Sequence, residues 1–201
     1  MQFRRAGWLK RGAGTMRINC PSFNTGTNIV AEGIVQIALR LDTITNGTAW
    51  GATAAGAVAI QSNAVVTVTE NDTMGSHVSD IGRAIIIEKG GTLTSEGRFT
   101  TIGPLVLRGG TFSGKGGVND QYQMWNLTKP VTVAGSVPSR ITSASTSRPG
   151  IHILGDITLD VADVTGDGAS DLSIDTAYFI GAALDQFFGH IDKIIDRMNF
   201  C

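Results

Sequence analysis

Asp163-Val-Thr165-Gly-Asp167-Gly168-Ala169-Ser-Asp171 sets oxygen-bearing side chains at positions one, three, five and nine of a loop, with glycine at six. That order suits a hard cation: three carboxylates and a hydroxyl converge, the glycine allows the sharp turn, and Ala169 would offer its carbonyl at position seven. Ca²⁺ is the ion such a site would take. The twelve-residue loop closed by a bidentate glutamate is excluded, because position twelve is Ile174. The plainer alternative is a solvated Asp/Gly turn between two strands. No other cofactor is expected.

Other chemistry is less sharply written. Hydrolysis of a glycosidic bond needs two carboxylates about 5–9 Å apart in a groove, and Asp156, Asp160 and Asp163 are the nearest candidates. A lyase would need a base such as Arg108 or Arg140. His77, His152 and His190 lie in unrelated surroundings, a polar turn, a strand and an amphipathic segment, so no nucleophile–His–acid set is legible. His152, between Ile151 and Ile153, is expected to point away from the core. Gly114-Lys-Gly-Gly117 lacks the phosphate-loop pattern and reads as a turn. No catalytic residue is assigned.

Charge narrows the partners. Lys and Arg number 16 against 17 Asp and Glu, which argues against nucleic acid. The distribution is uneven: residues 1–17 hold Arg4, Arg5, Lys10, Arg11 and Arg17 with no acid, whereas 156–175 hold six Asp and no Lys or Arg. The basic stretch reads as a solvated terminus. No segment reaches the roughly 18 apolar residues of a membrane helix, and no apolar run follows the basic start before Cys20 to mark a signal peptide. Cys20 and Cys201 are expected to remain two thiols, since a stacked array would hold its ends beyond the roughly 7 Å a disulfide tolerates.

The elements that must position these residues come from a repeat. Gly90-Gly91-Thr92-Leu93-Thr94-x-x-Gly97 returns nineteen residues later as Gly109-Gly110-Thr111-Phe112-Ser113-x-x-Gly116. An apolar column follows Val66, Ile86 and Val106 at twenty-residue steps, then Val131 and Ile151, with Leu172 at twenty-one; Val133 and Ile153 form a second. A chain that stacks one circuit on the last accounts for this. Charged residues at 16 % and 26 glycines in 201 fit short strands joined by tight turns. The expected fold is all-β, a right-handed parallel β-helix (solenoid) of six or seven rungs, its hand taken from the rule for parallel crossovers. The expected division is an irregular basic segment at 1–27, a β-helix repeat domain at 28–175, and a C-terminal cap or tail at 176–201. In that tail Leu184, Phe187, Phe188, Ile191, Ile194, Ile195 and Met198 recur at helical spacing, which predicts a short amphipathic α-helix over 182–198 covering the last rung.

Phe99-Thr-Thr-Ile-Gly-Pro-Leu-Val-Leu107 with Gly-Gly-Thr111 resembles a unit of the autotransporter-associated β-strand repeat proteins. So do Tyr122–Leu127 followed by Val131–Ser139 and Ile141–Ser143, and Ile157–Leu172, so that the likeness covers roughly residues 85–175. It implies an exported passenger, extracellular or at the cell surface, with a structural or adhesive role and no universal catalytic residues. The Asp163–Asp171 loop also resembles the integrin-type calcium repeats, with Thr165 where they carry an acid. The function expected is a non-enzymatic scaffold or adhesin-like passenger that meets glycans or other surface chains by weak multivalent contact, with neighbouring repeats of a longer chain beside it. The alternative is a polysaccharide-active β-helix enzyme, a hydrolase or lyase.

Overall fold

The computed structural model describes residues 6–22, 24–39, 50, 56–71, 73–74, 82–96, 100–115, 125–144 and 149–180. These residues form strands and turns and contain no helix. Each circuit of the chain lays down strands on two or three sides, and each strand pairs in parallel with the one a circuit later. The first circuit contributes β1 (Leu9–Lys10) and β2 (Thr15–Ile18), the second β3 (Asn28–Val30) and β4 (Gly33–Ile37), and the third β5 (Ala57–Ile60) and β6 (Ala64–Val68). The fourth adds a third side: β7 (Ala84–Glu88), β8 (Thr92–Ser95) and β9 (Thr100–Ile102). The fifth holds β10 (Leu105–Arg108), β11 (Thr111–Gly114) and β12 (Trp125–Leu127), and the sixth β13 (Val131–Val133), β14 (Ser139–Ser143) and β15 (Pro149–Ile153). The seventh ends the stack with β16 (Leu159–Val161), β17 (Leu172–Asp175) and β18 (Ala177–Ile180). Two seven-stranded sheets and one four-stranded sheet result, all parallel and solenoid-like.

The recurrent Gly-Gly turn is the corner between the first two sheets. Gly33, Asn63, Gly90, Gly109 and Gly135 all have positive φ, a backbone conformation that costs a side-chain-bearing residue about 1–2 kcal/mol. The second glycine of each pair has a different duty. A Cβ on Gly91 would meet the Ile60 carbonyl at 2.6 Å, and one on Gly110 the Ile87 side chain. The corner therefore needs one residue for its dihedral angle and one for close approach, and the stacked repeat Thr92↔Thr111, Leu93↔Phe112 follows directly.

Alternation then sorts each strand. Ile85 and Ile87 of β7, Leu105 and Leu107 of β10, and Val131 and Val133 of β13 face inward, at 0–2 % exposure. The second sheet sends in Val35, Val66, Leu93, Phe112 and Ile141, all at 0–1 %. Trp125 from the third sheet is fully buried against Phe112, ring centroids 4.9 Å apart. Its indole donates to the Ser113 carbonyl at 3.0 Å, lying beside Gly114, where a Cβ would stand 3.4 Å from the ring.

Two expectations need correction. The twenty-residue columns mix sheets. Ile86 does pair with Val106, but Val66 pairs with Leu93, Val131 with Leu159, and Leu172 with Ser139. Successive first-sheet pairs Leu9↔Ile29↔Ala59↔Ile86↔Val106↔Thr132↔Asp160 give circuits of 20, 30, 27, 20, 26 and 28 residues. The interval from Val131 to Ile151 runs from one side of a rung to another side of the same rung. The second correction concerns the boundaries at 28 and 175. β1 and β2 pair with β3 and β4, so residues 9–18 form a rung instead of an irregular segment, and β18 carries the ladder to Ile180. The amphipathic segment 182–198 lies outside the described residues.

Candidate functional site

The Asp163–Asp171 loop joins β16 to β17 on the last rung. Its carboxylates turn onto the loop itself. Asp171 Oδ1 accepts the N–H groups of Val164 and Thr165, both at 3.1 Å, and the Thr165 hydroxyl at 3.0 Å. Asp167 Oδ1 accepts the Ala169 N–H at 2.7 Å and bonds the Thr165 hydroxyl at 2.9 Å. Asp163 Oδ1 accepts the Gly166 N–H at 2.6 Å. The Ala169 amide, aided by the Thr165 hydroxyl, holds the Asp167 carboxyl below the usual carboxylate range. Asp163, Thr165, Asp167, Ala169 and Asp171 are thus brought together as a hydrogen-bonded turn with Asp171 partly buried at its centre. Among the described residues no group of three His, Cys, Asp or Glu is disposed to hold a metal ion.

The other Asp and Arg candidates lie on the exposed surface of the rungs. Asp160 sits mid-strand in β16, and Asp156 and Asp163 lie on the turns before and after it, all three exposed. Arg108 Nη1 is 3.1 Å from Glu88 Oε1, a pair directly across β10 and β7. Arg140 Nε is 2.6 Å from Asp175 Oδ2, bridging β14 and β17. Both guanidinium groups are therefore engaged in rung-to-rung pairs on the solenoid surface. His77, His190 and Cys201 lie outside the described residues, and Cys20 is exposed.

His152 is the outward member of β15, as alternation requires, but the face it occupies is not open. Its neighbours in that column, Thr101 and Asn126, are 4 % and 5 % exposed. His152 is half-buried, and burial pushes its pKa below the ordinary value.

What sequence reasoning missed is a set of buried polar groups at the N-terminal end. Lys10 is 8 % exposed, and its ammonium donates to the carbonyls of Gly12, Gly14 and Glu32, the last at 2.7 Å. The sequence places it in a solvated basic run; carbonyls of two stacked turns, Gly12 and Gly14 on one and Glu32 on the next, instead replace its water. Asn28 is fully buried, donating to the Trp50 carbonyl at 2.8 Å and accepting from Asn24 Nδ2 at 2.7 Å. Trp8 and Trp50 stack at 5.7 Å. Arg83, 3 % exposed, reaches the carbonyls of Gly26, at 2.6 Å, and Asn24. No sequence signal distinguishes these cations from exposed ones, since the carbonyls that satisfy them are set by the fold.

Among the described residues, the outer face of the second sheet carries a regular chemistry. Thr67, Thr94, Ser113 and Thr142 stack in register, and Thr92 and Thr111 stand in the next column. Strand geometry puts these hydroxyls about 4.8 Å apart along the stack and about 6.7 Å apart along a strand. All six are partly exposed. Among the described residues no helix is long and apolar enough to cross a membrane. No protein-family model, curated protein or solved structure matches the chain.

Proposed function

We propose that this chain is a non-enzymatic structural module, an exported or cell-surface solenoid of the autotransporter-passenger kind. We take its coil to be right-handed, the hand that parallel crossovers favour. The observation that carries the reading is the uncharged hydroxyl array of Thr67, Thr94, Ser113, Thr142, Thr92 and Thr111 on a continuous parallel sheet. Evenly spaced hydroxyls exchange hydrogen bonds with sugar hydroxyls at little desolvation cost, and many weak contacts sum where single ones do not. The reading draws further support from the candidate catalytic groups: Arg108 and Arg140 are engaged in ion pairs, and Asp163 bonds its own turn.

The test pairs binding with turnover. The chain is immobilised on a multivalent glycan array and, in parallel, incubated with a panel of polysaccharides. The expected outcome is density-dependent retention that falls severalfold when Thr94 and Ser113 are both changed to Lys, with no new reducing ends and no unsaturated product. Release of either product, lost on Asp160→Asn, would replace the scaffold with the polysaccharide-active enzyme.

A further inference from the structure

The two ends of the solenoid match each other. β1 and β2 start the first two sheets, and β16 and β17 end them, so each end presents a row of backbone groups without a strand beyond it among the described residues. The internal register says what would face what if the ladder continued from one molecule to another. The outer column of the second sheet runs Arg17↔Gln36↔Thr67↔Thr94↔Ser113↔Thr142↔Asp175. One more step in the same register sets Asp175 opposite Arg17. The inner column beside it begins at Met16 and finishes at Ile174; both are only partly buried, whereas the members between them are at 0–1 % exposure. On the first sheet the inner column starts with Lys10 and ends with Val161, which is 39 % exposed. The alkyl stem of Lys10 is suited to cover a valine while its ammonium stays on the carbonyls of Gly12, Gly14 and Glu32.

Charge agrees with register. Residues 6–18 carry Lys10, Arg11 and Arg17 and no acid, while 156–175 carry six Asp and no Lys or Arg. Like ends repel and unlike ends attract, which selects one orientation of approach.

We propose that this chain associates head to tail with a second copy of itself, the first rung of one molecule docking on the last rung of another in the register of the internal ladder. The contact is heterologous, and a stack that advances along its own axis does not close, so it yields linear oligomers instead of a fixed dimer. The inference stands apart from the scaffold reading, since an enzyme built on this fold would have the same ends. The competing occupant of the last rung is the chain's own 182–198 segment, which would leave the molecule monomeric.

The experiment is sedimentation velocity of the full chain from low micromolar concentration upward, at low ionic strength and in 1 M salt, where the Debye length falls to about 3 Å. Wild type is expected to show a weight-average mass that climbs with concentration and a weaker association in salt. Arg17→Asp and Asp175→Arg are each expected to lower the association constant at least about tenfold, with far-UV circular dichroism unchanged. Mixed in equal amounts they are expected to regain it, because each altered end then meets its complement on the other variant. Should a reversal unfold the chain, Arg17→Gln is expected to weaken association and flatten its salt dependence. A wild type that stays monomeric throughout, variants that associate as wild type does, or a mixture that fails to recover would overturn the proposal.

Discussion

Asp171 uses one carboxylate oxygen to close its own turn. Its Oδ1 gathers two backbone N–H groups and the Thr165 hydroxyl, the role a side chain takes when it closes a turn. Replacing Asp171 with Ala is expected to cost about 1–3 kcal/mol in urea unfolding, and Asp171→Asn less, because the amide oxygen can still accept. The melting temperatures of both variants and of wild type are expected to be the same in calcium and in EDTA. A wild-type melt that drops on adding EDTA would place a calcium ion in the loop. His152 supplies the pH dependence. Its folded pKa lies below the ordinary value of about 6.5 because it is half-buried. Between the two values the unfolded chain binds more protons than the folded one, so this contribution is complete above about pH 6.5 and is lost as pH falls toward the folded pKa. Melting temperatures taken from about pH 7.5 down to 5 should therefore fall more steeply for wild type than for His152→Gln. Equal slopes would mean the imidazole titrates as freely in the folded state as in the unfolded.

At the scale of the element, the corner between the first two sheets explains both what the sequence disclosed and what it hid. Gly90-Gly91 and Gly109-Gly110 fill a dihedral requirement and a packing requirement in adjacent positions, and those two demands are strict enough to leave a repeated word in the chain. Asn63 answers the same demand with φ 63° in place of glycine, and its N–H donates to the Gly90 carbonyl one circuit on, at 3.2 Å. Since asparagine tolerates that region, the corner at 61–63 was invisible as a repeat although it is structurally equivalent. Asn63→Gly is expected to change stability by less than about 1 kcal/mol, while Asn63→Val should cost about 1–2 kcal/mol, both by chemical denaturation. Equal effects would show that the corner relaxes. The strands themselves were legible through alternation. Their pairing was not, because the inward rule treats every apolar residue alike and cannot say which side of the coil it faces. Val66 and Ile86 are twenty apart and both in strands, yet one is fully buried in the second sheet and the other is a partly exposed member of the first. A twenty-residue step holds only in the two shortest circuits, from β1 to β3 and from β7 to β10. At 163–171 the sequence showed a turn between two strands but not which way its carboxylates point.

The whole molecule is a stack in which each rung is held by its neighbours, so its stability is distributed along one axis and should be weakest at the ends. The ends are not alike. At the N-terminal end Lys10 ties three carbonyls, Asn28 is buried among Asn24 and Trp50, and Trp8 stacks on Trp50. Arg83 reaches back from the fourth circuit to carbonyls 57 and 59 residues earlier, binding the first corners into one unit. The last rung has the Arg140–Asp175 pair and the Thr176 hydroxyl bonded to Ser143 at 2.8 Å, and its Val161 stays exposed. Opening should therefore begin at the C-terminal end. In hydrogen exchange at low protein concentration the amides of β16 are expected to exchange first, those of β1 and β2 later, and those of β7 and β10 last. Arg83→Met removes the long reach while keeping most of the side-chain volume, and should bring β1 and β3 toward the rate of β16 while leaving β13 unchanged. Uniform exchange across all rungs would instead make this a single cooperative unit, in which the buried cations stabilise every circuit equally. Raising the concentration separates the two causes of protection at the last rung: if a second molecule docks there, β16 slows while Arg83 is untouched, whereas an end held only from within keeps its rate.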